Sequence, residues 1–218
     1  MTTNSNSPLA IVVLISGKGS NLQALIDHQQ QFGDFQIVAV ISNRGDAAGL
    51  HKAQQAGIAT RVLDHKLFNS RDEYDQALIQ LIDDFNPGLV VLAGFMRIFS
   101  AAFVQHYAAR MLNIHPSLLP AYRGLNTHQR ALDDKAREHG ASVHFVTEEL
   151  DGGPVVAQAK VLLDKKDNAK SLANKVHSAE HQLYPLCVQW FAQKRLHLIN
   201  GQVFFDGQAL QQVLSIET

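Results

Sequence analysis

"LAIVVLISGKGSNLQALI", residues 9 to 26, decides the fold. Its first seven residues form an unbroken apolar, β-branched run, the mark of a strand covered on both faces. The glycine-rich SGKGSN follows, and then Leu22, Leu25 and Ile26 recur at helical spacing. A buried strand, a tight turn and a helix in that order open a doubly wound α/β unit.

The same order repeats downstream. FQIVAVIS (35–42), ATRVLD (59–64), LVVLAG (89–94) and RMLNIH (110–115) read as further strands. AAGLHKAQQAG (47–57) reads as a short helix. Ser70 to Phe85 reads as a longer one, opened by a Ser70/Glu73 capping box and stopped by Asn86-Pro87-Gly88. A helix near 126–137 and a strand near 140–147 come next. The alternation predicts a mostly parallel, doubly wound sheet with helices on both faces, in which ligands lie beyond the carboxyl ends of the strands. Gly17, Gly94 and His115 all fall at such ends. The last third changes character: an antiparallel strand over 155–163, a long helix over 168–193 with a kink at Pro185, and a hairpin turning at Asn200-Gly201. No linker or repeat interrupts the chain, so residues 1–218 are expected to form a single domain with a flexible tail at 1–8.

Totals narrow the function. The 218 residues suffice for a substantial core. A formal net charge of -1 gives no basic field for nucleic acid or an anionic membrane. No apolar run reaches the roughly 18 residues of a membrane span. The first residues lack the basic-then-apolar order of a signal peptide. The single cysteine, Cys187, excludes an intramolecular disulfide and suits a reducing cytosol. A cytoplasmic protein without nucleic-acid or membrane partners is expected.

Gly17-Lys18-Gly19-Ser20-Asn21 joins the first strand to the first helix. Glycines let backbone amides face a ligand, and a helix N-terminus adds unpaired N–H groups and positive dipole. An anion, above all a phosphate, fits there; so does a plain tight turn. Ser20 with Gln23 is expected to cap the helix. Leu22 stands where a dinucleotide fingerprint needs glycine, and Gly19 where a P-loop needs Ser or Thr, so both nucleotide motifs fail.

Asn113 and His115 in NIHPSLLP (113–120) share one side of an extended strand. An amide there can donate to a developing oxyanion, and an imidazole can donate or transfer a proton. A core histidine and a turn asparagine fit the same spacing. In EELDGGP (148–154) one carboxylate can turn back toward His115 and favour its charged form; a solvated acidic turn reads alike. Cys187 lies in an apolar helical stretch with nothing basic beside it, which means core packing. His177-Ser178-Ala179-Glu180-His181 has an inverted zinc-peptidase spacing. Such a site needs a further protein ligand, and beyond His181 the only acids are Asp206 and Glu217. No metal is expected.

Taken together, IVVLISGKGSNLQALI, SRDEYD, VVLAGFMRI, MLNIHPSLLP, GASVHFVTEELDGGPV and AEHQLYP closely resemble the phosphoribosylglycinamide formyltransferases, a folate-dependent formyltransferase family of purine synthesis. The resemblance covers nearly the whole chain. It implies that a glycinamide amine attacks the formyl carbon of 10-formyltetrahydrofolate, a co-substrate rather than a bound cofactor. It assigns catalysis to Asn113, His115 and Asp151, with His115 as proton donor and Asp151 keeping it charged. It assigns the ribotide to Gly17, Gly19, Ser20, Asn21 and Glu180. Folate falls to Arg71, Met96, Arg97, Ile98 and Phe99, to Asn113, and to Thr147 through Asp151. Lys18 departs from the shorter polar residue of some relatives, and Ala121-Tyr122-Arg123-Gly124 varies. Methionyl-tRNA formyltransferases share the N-x-H…D pattern but carry an extra C-terminal domain and a basic surface. Formyltetrahydrofolate hydrolases carry an extra N-terminal domain. A silent ribotide-binding module would not need Asn113, His115 and Asp151 together. A monomer and a homodimer suit the sequence equally.

Overall fold

The computed structural model describes residues 7–216. The tail expected at 1–8 therefore lies, up to residue 6, outside the described residues. Along the first half, β1 (Leu9–Ile15), α1 (Ser20–Phe32), β2 (Phe35–Ser42), α2 (Ala48–Gln55), β3 (Ala59–Val62), α3 (Arg71–Asp83), β4 (Leu89–Leu92), α4 (Ala101–His106) and β5 (Met111–His115) alternate. Then come α5 (Thr127–Asp133), β6 (Glu138–Phe145), β7 (Val155–Leu162), α6 (Ala169–Ala192), β8 (Leu196–Ile199), β9 (Gln202–Phe205), β10 (Gln208–Ala209) and β11 (Leu214–Ile216).

Eight strands form one sheet in the order β11-β7-β6-β5-β4-β1-β2-β3. From β3 to β5 every neighbouring pair is parallel. The order runs one way from β1 to β3 and the other way through β4 and β5. That reversal opens a crevice at the carboxyl ends of β1 and β4. Strand β1 shows why the sheet needs helices on both faces. Ile11, Val13 and Ile15 pack into one core with residues of α1, α2 and α6. Val12 and Leu14 pack into the other with Tyr74 and Leu78 of α3 and Phe103 of α4. All five β1 side chains are fully buried. Leu14→Ala would cost about 2–5 kcal/mol from lost burial and the cavity left behind.

Beyond β5 the sheet turns antiparallel. Strand β6 pairs with β5, and β7 with β6, as the sequence predicts for 155–163. This register sets Asn113 opposite His144 and His115 opposite Ser142. Helix α6 underpins the junction: the Tyr184 hydroxyl lies 3.0 Å from the Leu92 carbonyl and 2.9 Å from the Leu112 carbonyl, beneath β4 and β5. Asn200 and Gly201 take φ values of 49° and 77°, the left-handed pair of a two-residue hairpin between β8 and β9.

Several details differ from the sequence reading. Ser70 caps α3 by accepting from the Glu73 N–H, but the Glu73 carboxylate accepts from Asn69 N–H, one residue outside the expected box. The helix expected near 126–137 ends at Asp133, because Lys135 is left-handed at φ 52° and Glu138 already pairs with Leu162. The long helix expected over 168–193 is present as α6, with Pro185 inside it. The sequence reading did not include α4 or β11. Both are short, and β11 exists only by parallel pairing with β7.

Candidate active site

Asn113 and His115 end β5, two residues apart and on one side. His115 is 5% exposed. Its Nδ1 lies 3.3 Å from Asp151 Oδ2, and its Nε2 lies 3.0 Å from the Tyr122 carbonyl. Both ring nitrogens thus face oxygen atoms. Asp151 is itself aimed: the Gly124 N–H donates to Oδ2 at 2.9 Å. The turn carrying it must hug β6. A Cβ on Gly153 would come within 1.9 Å of the Phe145 carbonyl oxygen, so only glycine fits.

His144, which the sequence reading passed over, completes the cluster. Its Nδ1 donates to the Phe145 carbonyl at 2.9 Å. Burial lowers its pKa, so the ring is neutral and Nε2 is an acceptor. Asn113 Nδ2 donates to that Nε2 at 3.0 Å. This fixes which end of the Asn113 amide is nitrogen and leaves its second N–H for another acceptor. Asn113, Asp151 and His144 all border one cleft, with Arg97, Ile98, Phe99 and Thr147.

Two of the positions expected to meet folate are not among the residues bordering that cleft. Arg71 is exposed in the first turn of α3. The Met96 side chain is 69% exposed, but its N–H donates to Ser16 Oγ at 2.9 Å. Ser16 Oγ in turn donates to Asn43 Oδ1 at 2.6 Å. Buried Ser16 and Asn43 thereby tie the 94–99 segment to the ends of β1 and β2. Nothing in their local sequence pattern announces this, because the bonds span 80 and 27 residues.

At the other end of the crevice, Gly19 caps α1 in a left-handed conformation, φ 67°. The expected Ser20/Gln23 box is absent: Ser20 is already helical, and the Gln23 amide donates to Asp27 instead. The first N–H groups of α1 have no carbonyl one turn behind them, so they add to the anion-attracting end of the helix. Asn21 Nδ2 donates to Glu180 Oε2 at 2.8 Å across 159 residues. Asn21 Oδ1 is buried with no hydrogen-bond partner among the described residues. Burial pushes the Glu180 carboxyl up to about 7, opposed by the Asn21 hydrogen bond. The zinc-like string is therefore split. Glu180 faces Asn21, while the His177 and His181 rings stack with centroids 6.4 Å apart. Among the described residues no three His, Cys, Asp or Glu side chains gather as a metal site. Cys187 is fully buried and its thiol is pushed far above its ordinary pKa.

A glycine turn at one end of the crevice and an imidazole–carboxylate–amide cluster at the other are parts that suit a group-transfer enzyme. The chain belongs to the formyl transferase family, whose model matches residues 9–188. It is 55% identical over 201 residues to the phosphoribosylglycinamide formyltransferase of Escherichia coli, covering 92% of this chain and 95% of that one. It is 45% identical over 195 residues to the human trifunctional purine biosynthetic protein adenosine-3, covering 88% of this chain and 19% of that longer protein. The solved phosphoribosylglycinamide formyltransferase of Coxiella burnetii superposes with a TM-score of 0.93 at 51% identity, covering 96% of this chain and 99% of that one.

Proposed function

We propose that this chain, as a single formyltransferase domain, transfers a formyl group to the amine of phosphoribosylglycinamide in purine synthesis, with 10-formyltetrahydrofolate as donor. The observation that carries the reading is the Asn113–His144–Asp151–His115 cluster at the end of β5, in a chain 55% identical to a phosphoribosylglycinamide formyltransferase over 95% of its length.

In this reading the ribotide phosphate meets the amides of Gly17, Gly19, Ser20 and Asn21. One ribose hydroxyl donates to Glu180 and a second to the unpartnered Asn21 Oδ1. The pterin enters the cleft bordered by Arg97, Ile98, Phe99 and the 147–151 turn, held in place by the Ser16 link to Met96. Arg71 and the Met96 side chain reach the outer part of the folate. The neutral amine attacks the formyl carbon, and its carbonyl oxygen becomes an oxyanion. The free N–H of Asn113 and the His115 ring stabilise that charge. Asp151 holds His115 in orientation and compensates the charge of its protonated form. The folate nitrogen then leaves as the C–N bond breaks, taking a proton supplied from His115, and the attacking amine gives its proton to solvent water, from which His115 is reprotonated. No resident metal or cofactor takes part in this scheme. Among the described residues no helix is long and apolar enough to cross a membrane, and a cytoplasmic monomer or homodimer suits the reading.

The test is formyl transfer from 10-formyltetrahydrofolate to three acceptors: glycinamide ribotide, water and charged initiator tRNA. Transfer to the ribotide at least 10²-fold faster than to either rival supports the reading. Faster hydrolysis, or preference for tRNA, overturns it.

A further inference from the structure

The short helix α2 has no part in the scheme above, yet it touches the phosphate turn at two places. For a turn to hold an anion its N–H groups must converge and its carbonyl oxygens must point away, because a carbonyl aimed inward repels the charge. Here the two glycine carbonyls are caught from behind. The Gly49 N–H, in the first turn of α2, donates to the Gly17 carbonyl at 3.0 Å. One turn later Lys52 Nζ donates to the Gly19 carbonyl at 3.1 Å. That carbonyl also accepts the first helical bond of α1, from Gln23 N–H at 3.1 Å.

So close an approach depends on two missing side chains. A Cβ on Gly19 would sit 2.7 Å from Gly49 Cα, and one on Gly49 would sit 3.2 Å from Gly19 Cα. Gly49 and Lys52 are three residues apart and so share a helix face. One reaches the carbonyl at the start of the turn, the other the carbonyl at its end. Lys52 is half-buried. Its ammonium therefore lies at the N-terminus of α1, where a positive charge adds to the field of the helix end on an anion.

We propose that Lys52 is a positioning residue for the phosphate of the acceptor substrate: it holds the Gly19 carbonyl turned away, so that the amides of the 17–21 turn face the anion. The inference rests on the ribotide reading of that turn. Lys52 makes no contact with the reacting atoms, so its effect belongs to acceptor binding and not to the chemical step.

The experiment compares wild type, Lys52→Met and Lys52→Arg. Methionine keeps much of the stem and loses the donor and the charge; arginine keeps both. Steady-state kinetics with each substrate varied, and calorimetric titration with ribose 5-phosphate, are the readouts. In Lys52→Met the KM for the ribotide and the Kd for ribose 5-phosphate should both rise about tenfold, as for loss of one charge-assisted hydrogen bond. The KM for the folate and kcat at saturation should stay within about twofold, and Lys52→Arg should recover most of the loss. Unchanged ribose 5-phosphate binding in Lys52→Met overturns the proposal. So does a parallel loss of kcat and of both affinities, which marks a merely structural tie. The titration needs no formyl transfer. A wild type that binds ribose 5-phosphate through Lys52 but does not formylate the ribotide would sink the functional reading and keep this one.

Discussion

At the α1 end of the crevice the groups offered to a ligand are backbone amides and one buried Asn–Glu pair, all shaped by glycine conformation. At the β5–β6 end they are side chains from three segments, Asn113 and His115 on one strand, His144 on the next and Asp151 in the turn beyond, with the Tyr122 backbone carbonyl opposite. The first end has little chemistry and tight geometry. The second has dense chemistry, with a register shift between Val143 and His144 where β6 meets β7. The difference teaches where each is vulnerable. A methyl group in the wrong place damages the binding end, whereas the transfer end fails by loss of a single polar atom with the fold intact.

The hardest blow to the transfer end should be Asp151→Asn. Removing the charge beside His115 is expected to lower kcat by about 10²–10⁴-fold, the range for one acid–base group. The Kd for ribose 5-phosphate should hold, and a matching loss of that affinity would erase the division between the two ends. His144→Phe keeps a buried ring but removes the acceptor that orients Asn113. It should lower kcat by about 10²-fold, the scale of a misplacement of about 1 Å, with both KM values little changed; an unaltered kcat would show that Asn113 needs no such support.

The binding end should respond the opposite way. Gly19→Val forces a β-branched residue to φ 67° and against Gly49. With about 1–3 kcal/mol of strain, the ribotide KM should rise about tenfold or more while the folate KM stays. Equal damage to both substrates would make the turn structural only.

Glu180 sharpens the contrast through pH. Its carboxyl is raised to about 7 from an ordinary value of 4.5, so the fold favours the protonated form. The stability cost of ionising it is absent below about pH 4.5, grows as the pH rises toward 7 and is constant above. Glu180→Gln should therefore be more stable than wild type at pH 8, by up to about 3 kcal/mol, and equally stable at pH 4.5. It should also bind the ribotide less tightly. A variant equally stable at both pH values would mean that the carboxylate is comfortable in its site. The smallest effect is expected from exhaustive chelation, which should leave the activity of both ends intact; a loss restored by added zinc would reopen the His177–His181 string.

Legibility in the sequence follows the same division. The parallel half was readable because each strand is a continuous apolar run and each turn a local glycine signal, as in residues 9–26. The glycine turn at 17–21 was readable for the same reason, though its cap was misplaced. Gly19, left-handed, takes the cap position expected of Ser20, and no side chain caps the first N–H groups of α1. At the transfer end Asn113 and His115 were visible as a pair two residues apart. Asp151 needed the family resemblance, since a carboxylate 36 residues along the chain leaves no local trace. His144 was missed because only the β5–β6 register sets it opposite Asn113. Strand pairing is a property of two segments, and neither segment alone encodes its offset.

The burial of Cys187 has a practical consequence. The chain has one thiol, on α6 and fully enclosed by the core between that helix and the sheet. A thiol reagent can reach it only when α6 leaves the sheet. The rate of labelling in native buffer thus counts openings of the molecule. With fast reclosing it reports the free energy of opening, and at high reagent concentration the opening rate itself. The protein carries its own clock for unfolding, requiring no engineered probe, and a ligand that binds only the closed form slows that clock in proportion to its occupancy.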